Sequence, residues 1–361
     1  MGKYKLKEFK RKQWIDKRNR KLLIRRTIRK RKRKLRRAGI INSSSYDWAL
    51  QERLNAIKQP YHKRIKKFIV PRFFSIEIDR NSTLSFFNGI FDFLRENADA
   101  FDKDDMFIDS SMVELVSDTA LMYLFAIISD ARSAKFIIGG NHPKNKNALK
   151  LYKQYGFDKV IDYHIFTKPY VDKDLDLIIA RGDSVSAKTV AMICSFVNEK
   201  LSIPISDLYA SLIEMMGNTK EHAYAVDEKL DKKWQLVVKN TISGINLFFL
   251  DTGRGIPGTV KKTKSEIIRK LIPIGYNLKD SHLLKSAFDG KFRTRTNLPY
   301  RGNGLPQIYK LISNNNIKIA RVFTGKTECI ISETKPGFHD YNSEFYGTLY
   351  EMQLRGGISN E

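Results

Sequence analysis

Ile245-Asn246-Leu247-Phe248-Phe249-Leu250-Asp251-Thr252-Gly253-Arg254-Gly255-Ile256-Pro257 is the stretch from which the rest of the chain can be read. Residues 245–250 form an apolar run broken only by Asn246, the pattern of a buried strand. Asp251 closes that run, and an acid at the end of a buried strand can accept a hydrogen bond from an amino group such as adenine's. Gly253 and Gly255 allow the backbone to turn tightly and to approach a ligand. Alone, this D-x-G-x-G pattern describes an ordinary turn equally well.

Working outward, the periodicity predicts long helices over Ser186–Lys200 and Ser206–Ala223, with Pro204 and Ser206 as start signals for the second. Glu214 and Asn218 are one helical turn apart, so carboxylate and amide share a face. A carboxylate can align an attacking water, and an amide oxygen suits the hard Mg²⁺ ion. A solvated polar helix face accounts for that pair too. Downstream, Arg301-Gly302-Asn303-Gly304-Leu305 precedes a helical pattern near Leu305–Ser313, whose free N–H groups form a place for phosphate oxygens. Strands are expected at Trp234–Lys239, Ile317–Phe323, Glu328–Ser332 and Gly347–Leu354. Tyr346-Gly347-Thr348-Leu349 brings a hydroxyl donor to the start of the last one.

The four elements, in this order and spacing, resemble the GHKL superfamily of ATPases, which groups gyrase-type ATPases, the ninety-kilodalton heat-shock chaperone, histidine kinases and mismatch-repair ATPases. The resemblance covers about residues 180–356 and implies a Bergerat-type α/β sandwich that binds ATP between helices and sheet. It implies that Glu214 is the catalytic base, Asn218 the Mg²⁺ ligand and Asp251 the residue that recognises adenine. Gly253, Gly255 and Ile256 would start a lid running to about Arg301, while Gly302, Gly304 and Leu305 would hold phosphates with Thr348 nearby. His222 stands where kinase members often have histidine, and Ala287-Phe288 and Phe292 resemble their lid phenylalanines.

The preceding segment alternates strands (Phe73–Ile78, Asp105–Asp109, Lys135–Ile138) with helices (Ser85–Glu96, Leu121–Ile128, Ala148–Tyr155), an α/β pattern. Asp109-Ser110-Ser111 through Ile128, followed by Phe136-Ile137-Ile138-Gly139-Gly140, is similar to STAS domains. The position that carries a phosphorylatable serine in that family falls on Asp118, between Ser117 and Thr119. Ser117 reads more simply as a helix cap.

The net charge of +26 is concentrated at one end. Residues 1–37 hold 20 Lys or Arg against Glu8 and Asp16, a net +18, which leaves +8 on the other 324 residues. Such a run meets phosphate, in nucleic acid or on an anionic membrane surface. The 42% apolar content excludes wholesale disorder, and two cysteines, Cys194 and Cys329, exclude a disulfide scaffold. The sequence shows no transmembrane segment.

These readings divide the chain into a basic tail and linker (1–45), helical or disordered, a STAS-like α/β domain (66–170) and a GHKL-like domain (175–361). They predict a cytoplasmic protein, or a nuclear one in a eukaryote, that uses ATP and Mg²⁺ as a regulatory ATPase. Its STAS-like domain would bind a protein partner or the ATPase itself, and its tail nucleic acid. Two alternatives stand beside this: a serine protein kinase of the anti-sigma-factor type, and a nucleic-acid-binding protein whose ATP is structural. Oligomeric state, with a homodimer among the options, is left open.

Overall fold

The computed structural model describes residues 65–98, 105–134, 136–157, 168–223, 233–263, 278–292, 304–332 and 336–355. The basic tail lies outside these residues. So does Gly302, together with much of the expected lid. The described chain is a mixed α/β fold, and none of its helices is long and apolar enough to cross a membrane.

The first part runs β1 (Ile65–Ile69), β2 (Phe73–Phe74), α1 (Arg80–Glu96), β3 (Asp105–Asp109), β4 (Leu115–Val116), α2 (Asp118–Ser133), β5 (Ile138–Asn141) and α3 (Lys146–Gln154). β1, β3 and β5 form a three-stranded sheet in that order, with β1 and β3 parallel, and β2 pairs with β4. Phe73–Ile78 was expected as one strand, but only Phe73 and Phe74 are extended. The Ser75 hydroxyl donates to Glu77 (2.7 Å) and the Asp79 N–H to the Ser75 carbonyl (2.9 Å), which closes a turn there. Asp79, Ser117 and Asn145 cap α1, α2 and α3 by accepting from backbone N–H groups of their first turns.

The second part contributes β6 (Tyr170–Asp172), β7 (Leu177–Gly182), α4 (Ala187–Leu201), α5 (Ser206–Asn218), β8 (Trp234–Thr241), β9 (Gly244–Asp251), α6 (Gly255–Thr263), α7 (Asp280–Phe288), α8 (Gly304–Ile312), β10 (Ile317–Ile331) and β11 (Gly337–Leu354). Six strands form an antiparallel sheet in the order β10-β11-β9-β8-β7-β6. Ser186 caps α4, but no side chain caps α5, where Ser206 is the first helical residue and Asp207 complements the helix dipole. Thr219–Ala223, expected as α-helix, is a wider π-turn. Thr219 Oγ1 donates back to the Met215 carbonyl (3.0 Å), a bond that bends helices. The two strands expected at 317–323 and 328–332 are one continuous strand, with a register shift at Gly325 (φ +57°).

Alternation along the strands explains why residues 245–250 read as continuously apolar. Ile245, Leu247 and Phe249 face one side, among residues of α4 to α8. Phe248 and Leu250 face the other side and share a core with Phe87, Phe91, Leu121 and Tyr123 of α1 and α2. Described residues of α1 and α2, in the stretch 66–170, and of β9, in the stretch 175–361, therefore share one core, though the two stretches are read from the sequence as separate domains. Ile65–Ile138 and His142–Glu361 form one compact unit. At the position where the resemblance to STAS domains leads one to expect a phosphorylatable serine, Ser117 caps α2 and hydrogen bonds to Thr119 (2.9 Å). Thr119 is buried and donates to Glu77, and Asp118 accepts from Asn246 of β9 (3.3 Å).

Candidate functional site

Between the sheet and helices α5, α6 and α8 lies a cleft enclosing about 500 Å³ of empty space, part of it open to solvent. Asn218, His222, Asp251, Gly255, Ile256, Leu305 and Thr348 line it, all singled out from the sequence. Met215, Phe249, Val260 and Tyr350 add apolar walls.

Each element delivers its residue for a local reason. Asp251 ends β9, paired with Trp234 of β8 on one side and Thr348 of β11 on the other. Its carboxyl is buried and accepts from the Gly253 N–H (2.9 Å) and the Thr348 N–H. Burial pushes its pKa up to about 7, with the Asp130 charge adding to the rise and the two backbone donors opposing it. A Cβ on Gly253 would lie 2.3 Å from the Ala223 carbonyl oxygen, which also accepts from the Arg254 N–H (2.7 Å). Gly255 has φ +73°, and a side chain there would strike Thr324 Oγ1 at 2.6 Å. Both glycines of the D-x-G-x-G stretch are thus required by close backbone approach.

Glu214 stands one turn before Asn218 on α5, outside the set of cleft-lining residues. A Cβ on Gly304 would come within 2.4 Å of Glu214 Oε2 and 3.6 Å of Asn218 Nδ2, so Gly304 gives α8 room to begin against this pair. Burial, and then the charge of Glu221, raise the Glu214 pKa. Asn218 Nδ2 is buried with no hydrogen-bond partner. Rotating that amide presents its oxygen at the same place, so the residue fits a role as single ligand to a hard cation. Among the described residues no group of three or more His, Cys, Asp or Glu could hold a metal by itself. His222 is exposed in the π-turn, 3.8 Å from Glu221 Oε2. Phe288, expected in the lid, is buried in α7 and stacks on Tyr309 of α8 at 4.9 Å. Pro306 falls in the first turn of α8, where its missing N–H costs nothing.

Sequence reasoning missed several contributors. Phe249 and Tyr350 stand two residues from Asp251 and Thr348, so the period of a strand gives them away. Thr324 carried no such signal. Its hydroxyl accepts from the Ile256 N–H (2.8 Å) and donates to the Gly347 carbonyl (3.1 Å), tying the start of α6 to β11. The site can hold a flat, largely apolar group, meet one amino donor with a carboxylate, and offer helix-start N–H groups to an anion. No family model matches the chain, and no curated protein is significantly similar to it.

Proposed function

We propose that the chain binds Mg-ATP in this cleft and hydrolyses it, as a regulatory ATPase of the GHKL type. One observation carries the reading: Asn218, Asp251, Gly255, Ile256, Leu305 and Thr348 come from separated stretches and line a single cleft whose buried acid is Asp251. Apolar side chains at Met215, Ile256 and Val260 suit the faces of a purine, and the Asp251 carboxylate suits adenine's amino group. Guanine presents a carbonyl oxygen at that place, which a carboxylate repels.

Asn218 would hold Mg²⁺ together with the phosphates, the ion neutralising their charge. The first-turn N–H groups of α8 would receive phosphate oxygens. Glu214 would take a proton from water as the water oxygen attacks the γ-phosphorus. The bond to the β–γ bridging oxygen breaks, leaving ADP and inorganic phosphate. The raised pKa of Glu214 moves it in the direction a base needs. Hydrolysis is favoured over transfer to the chain's own Ser117 or Thr119, because the first caps α2 and the second is buried.

The segment from 65 to 157 acts on the ATPase itself in this reading, since α1 and α2 cover the far face of its sheet. Residues 1–37 contact nucleic acid through their charge, with an affinity that falls steeply as salt rises. Calorimetric titration with Mg-ATP and Mg-GTP tests the central claim. The parent binds ATP in preference to GTP, and Asp251→Asn loses about ten- to a hundredfold of the ATP affinity, as expected for a mispaired buried polar group. Equal binding of both nucleotides, or of ATP by both proteins, contradicts it.

A further inference from the structure

Asp251 and Thr252 are neighbours that face opposite ways. Asp251 looks into the cleft, whereas Thr252 turns to the far face of the sheet, where its hydroxyl donates to Asp130 Oδ2 at 2.7 Å. Asp130 belongs to α2, and its other carboxylate oxygen accepts from Arg181 of β7. All three groups are almost completely buried, with side-chain exposures of 1% for Asp130 and 3% for Arg181. Burying an ion pair is seldom a net gain in stability compared with apolar packing, and its better-attested use is to fix one arrangement over others.

What it fixes here is the turn that shapes the cleft. Thr252 lies between Asp251 and Gly253, whose N–H caps the Asp251 carboxyl, and the next N–H, from Arg254, donates to Ala223. The same helix touches the cleft's other strand. Tyr123, two turns before Asp130, donates through its hydroxyl to the Tyr346 carbonyl and stacks on Phe345 at 4.3 Å. The adjoining Gly347 carbonyl accepts from Thr324, which in turn receives the Ile256 N–H. α2 therefore grips both segments that meet at the Asp251–Thr348 pair, from the side away from the ligand.

We propose that Asp130 is a positioning residue for the cleft: held by Arg181, it anchors Thr252 and so keeps the Asp251–Gly255 turn set for a ligand on the opposite face. The ligand named is the adenine nucleotide of the preceding section, so that part rests on that reading, but the anchoring itself does not. The turn is the link between the two faces.

Asp130→Asn strands the buried Arg181 charge and endangers folding, so the decisive pair is Thr252→Val and Thr252→Ser in the full chain. Valine keeps the shape and removes the hydroxyl, while serine keeps the hydroxyl. Two measurements are made: amide hydrogen exchange in the protein without nucleotide, and ADP affinity by calorimetry. In Thr252→Val, exchange at Gly253, Arg254 and Ile256 quickens about tenfold, the size expected for one lost hydrogen bond to a charged group, and ADP affinity drops by a similar factor. Exchange in the middle of β8 and β9 stays at the parental rate. Thr252→Ser restores both readouts. Parental exchange in the valine variant, or a serine variant that behaves like valine, overturns the proposal. A parent that binds no ADP removes the nucleotide reading alone, and the exchange data still decide on the anchor.

Discussion

The outer face of the six-stranded sheet is closed mainly by phenylalanine and tyrosine rings, whereas on the inner face most of what the helices bring is aliphatic, the rings Trp234, Phe249 and Tyr350 belong to the sheet itself, and one end is left open. On the outer side Phe74, Phe86, Phe87 and Phe91 cluster with Tyr123, Phe345 and Phe323, edge to face, tilted or stacked. On the inner side the helices bring Val190, Ile193, Leu208, Leu212, Leu284 and Ile308. Rings bury a large area with few rotatable bonds. With mostly aliphatic helix side chains and two helices beginning at glycine, the inner face leaves a cleft beside Asp251 and Thr348, walled in part by Phe249 and Tyr350. The outer face is packed shut and the inner face carries a cleft, so substitutions on the two should fail in different ways.

The sharpest contrast is expected from Glu214→Gln. Steady-state phosphate release should fall by about 10²–10⁴-fold, the usual worth of general-base assistance, with ADP affinity retained. A variant that turns over at the parental rate breaks the proposed chemistry. Phe74→Ala, at a fully buried ring of the outer cluster, should do the reverse. Urea denaturation should show a loss of about 3–5 kcal/mol, while the folded protein keeps its ADP affinity within about twofold.

Titration sharpens the comparison, because each face holds one carboxyl that burial pushes up to about 7: Asp251 inside, and outside Glu351, which Arg321 partly counterbalances at 3.0 Å. The folded state holds these protons more tightly than the unfolded chain does. Stability from both groups is therefore full below the unfolded value, near 4, and is lost as pH rises through about 7. Nucleotide affinity should move the other way, rising about tenfold between roughly pH 6 and 8 as Asp251 ionises to meet the amino donor. Asp251→Asn should flatten the affinity profile. Glu351→Gln should leave that profile alone and flatten only part of the stability profile.

Gly304→Ala should give the mildest effect. Its methyl would displace the flexible end of Glu214, so turnover should fall severalfold, to about tenfold, with little change in the urea midpoint.

The inner face was largely legible in the sequence and the outer face was not. Asp251, Gly253 and Gly255 announce themselves because a buried strand ending in an acid, then glycines spaced for a tight turn, is a local pattern with local causes. Asn218 follows from its spacing from Glu214, and Thr348 from its place at the start of the last strand. By contrast, the apolar stripe of α1, with Phe86, Phe87, Ile90 and Leu94, says only that something covers it. That the cover includes Phe345 and Phe323, more than two hundred residues later, is not encoded nearby. Asp130 and Arg181 are not singled out by the sequence, since nothing local reveals that each is the other's partner in the interior. The strands expected at 317–323 and 328–332 are one because Gly325, at positive φ, takes up a bulge and not a turn.

The long hairpin of β10 and β11 also bears on how the chain is made. Its strands run 15 and 18 residues, and the part beyond the pairing with β9 holds α1. Arg80 pairs with Glu328 and lies over the Tyr341 ring, Asn88 donates to the Glu344 carbonyl, and Ser343 hydrogen bonds to Asn81. The Arg80–Glu328 pair spans 248 residues of sequence. At synthesis rates of about 5–20 residues per second, α1 leaves the ribosome roughly 12–50 seconds before the strand that will receive it. For that interval its phenylalanine-rich side has only part of its native cover: Phe68, Phe74 and Tyr123 are at hand, but Tyr346, which meets Phe91, is not. A nascent chain halted before residue 317 should stay bound to chaperones or precipitate, and release into the soluble fraction should coincide with emergence of the hairpin.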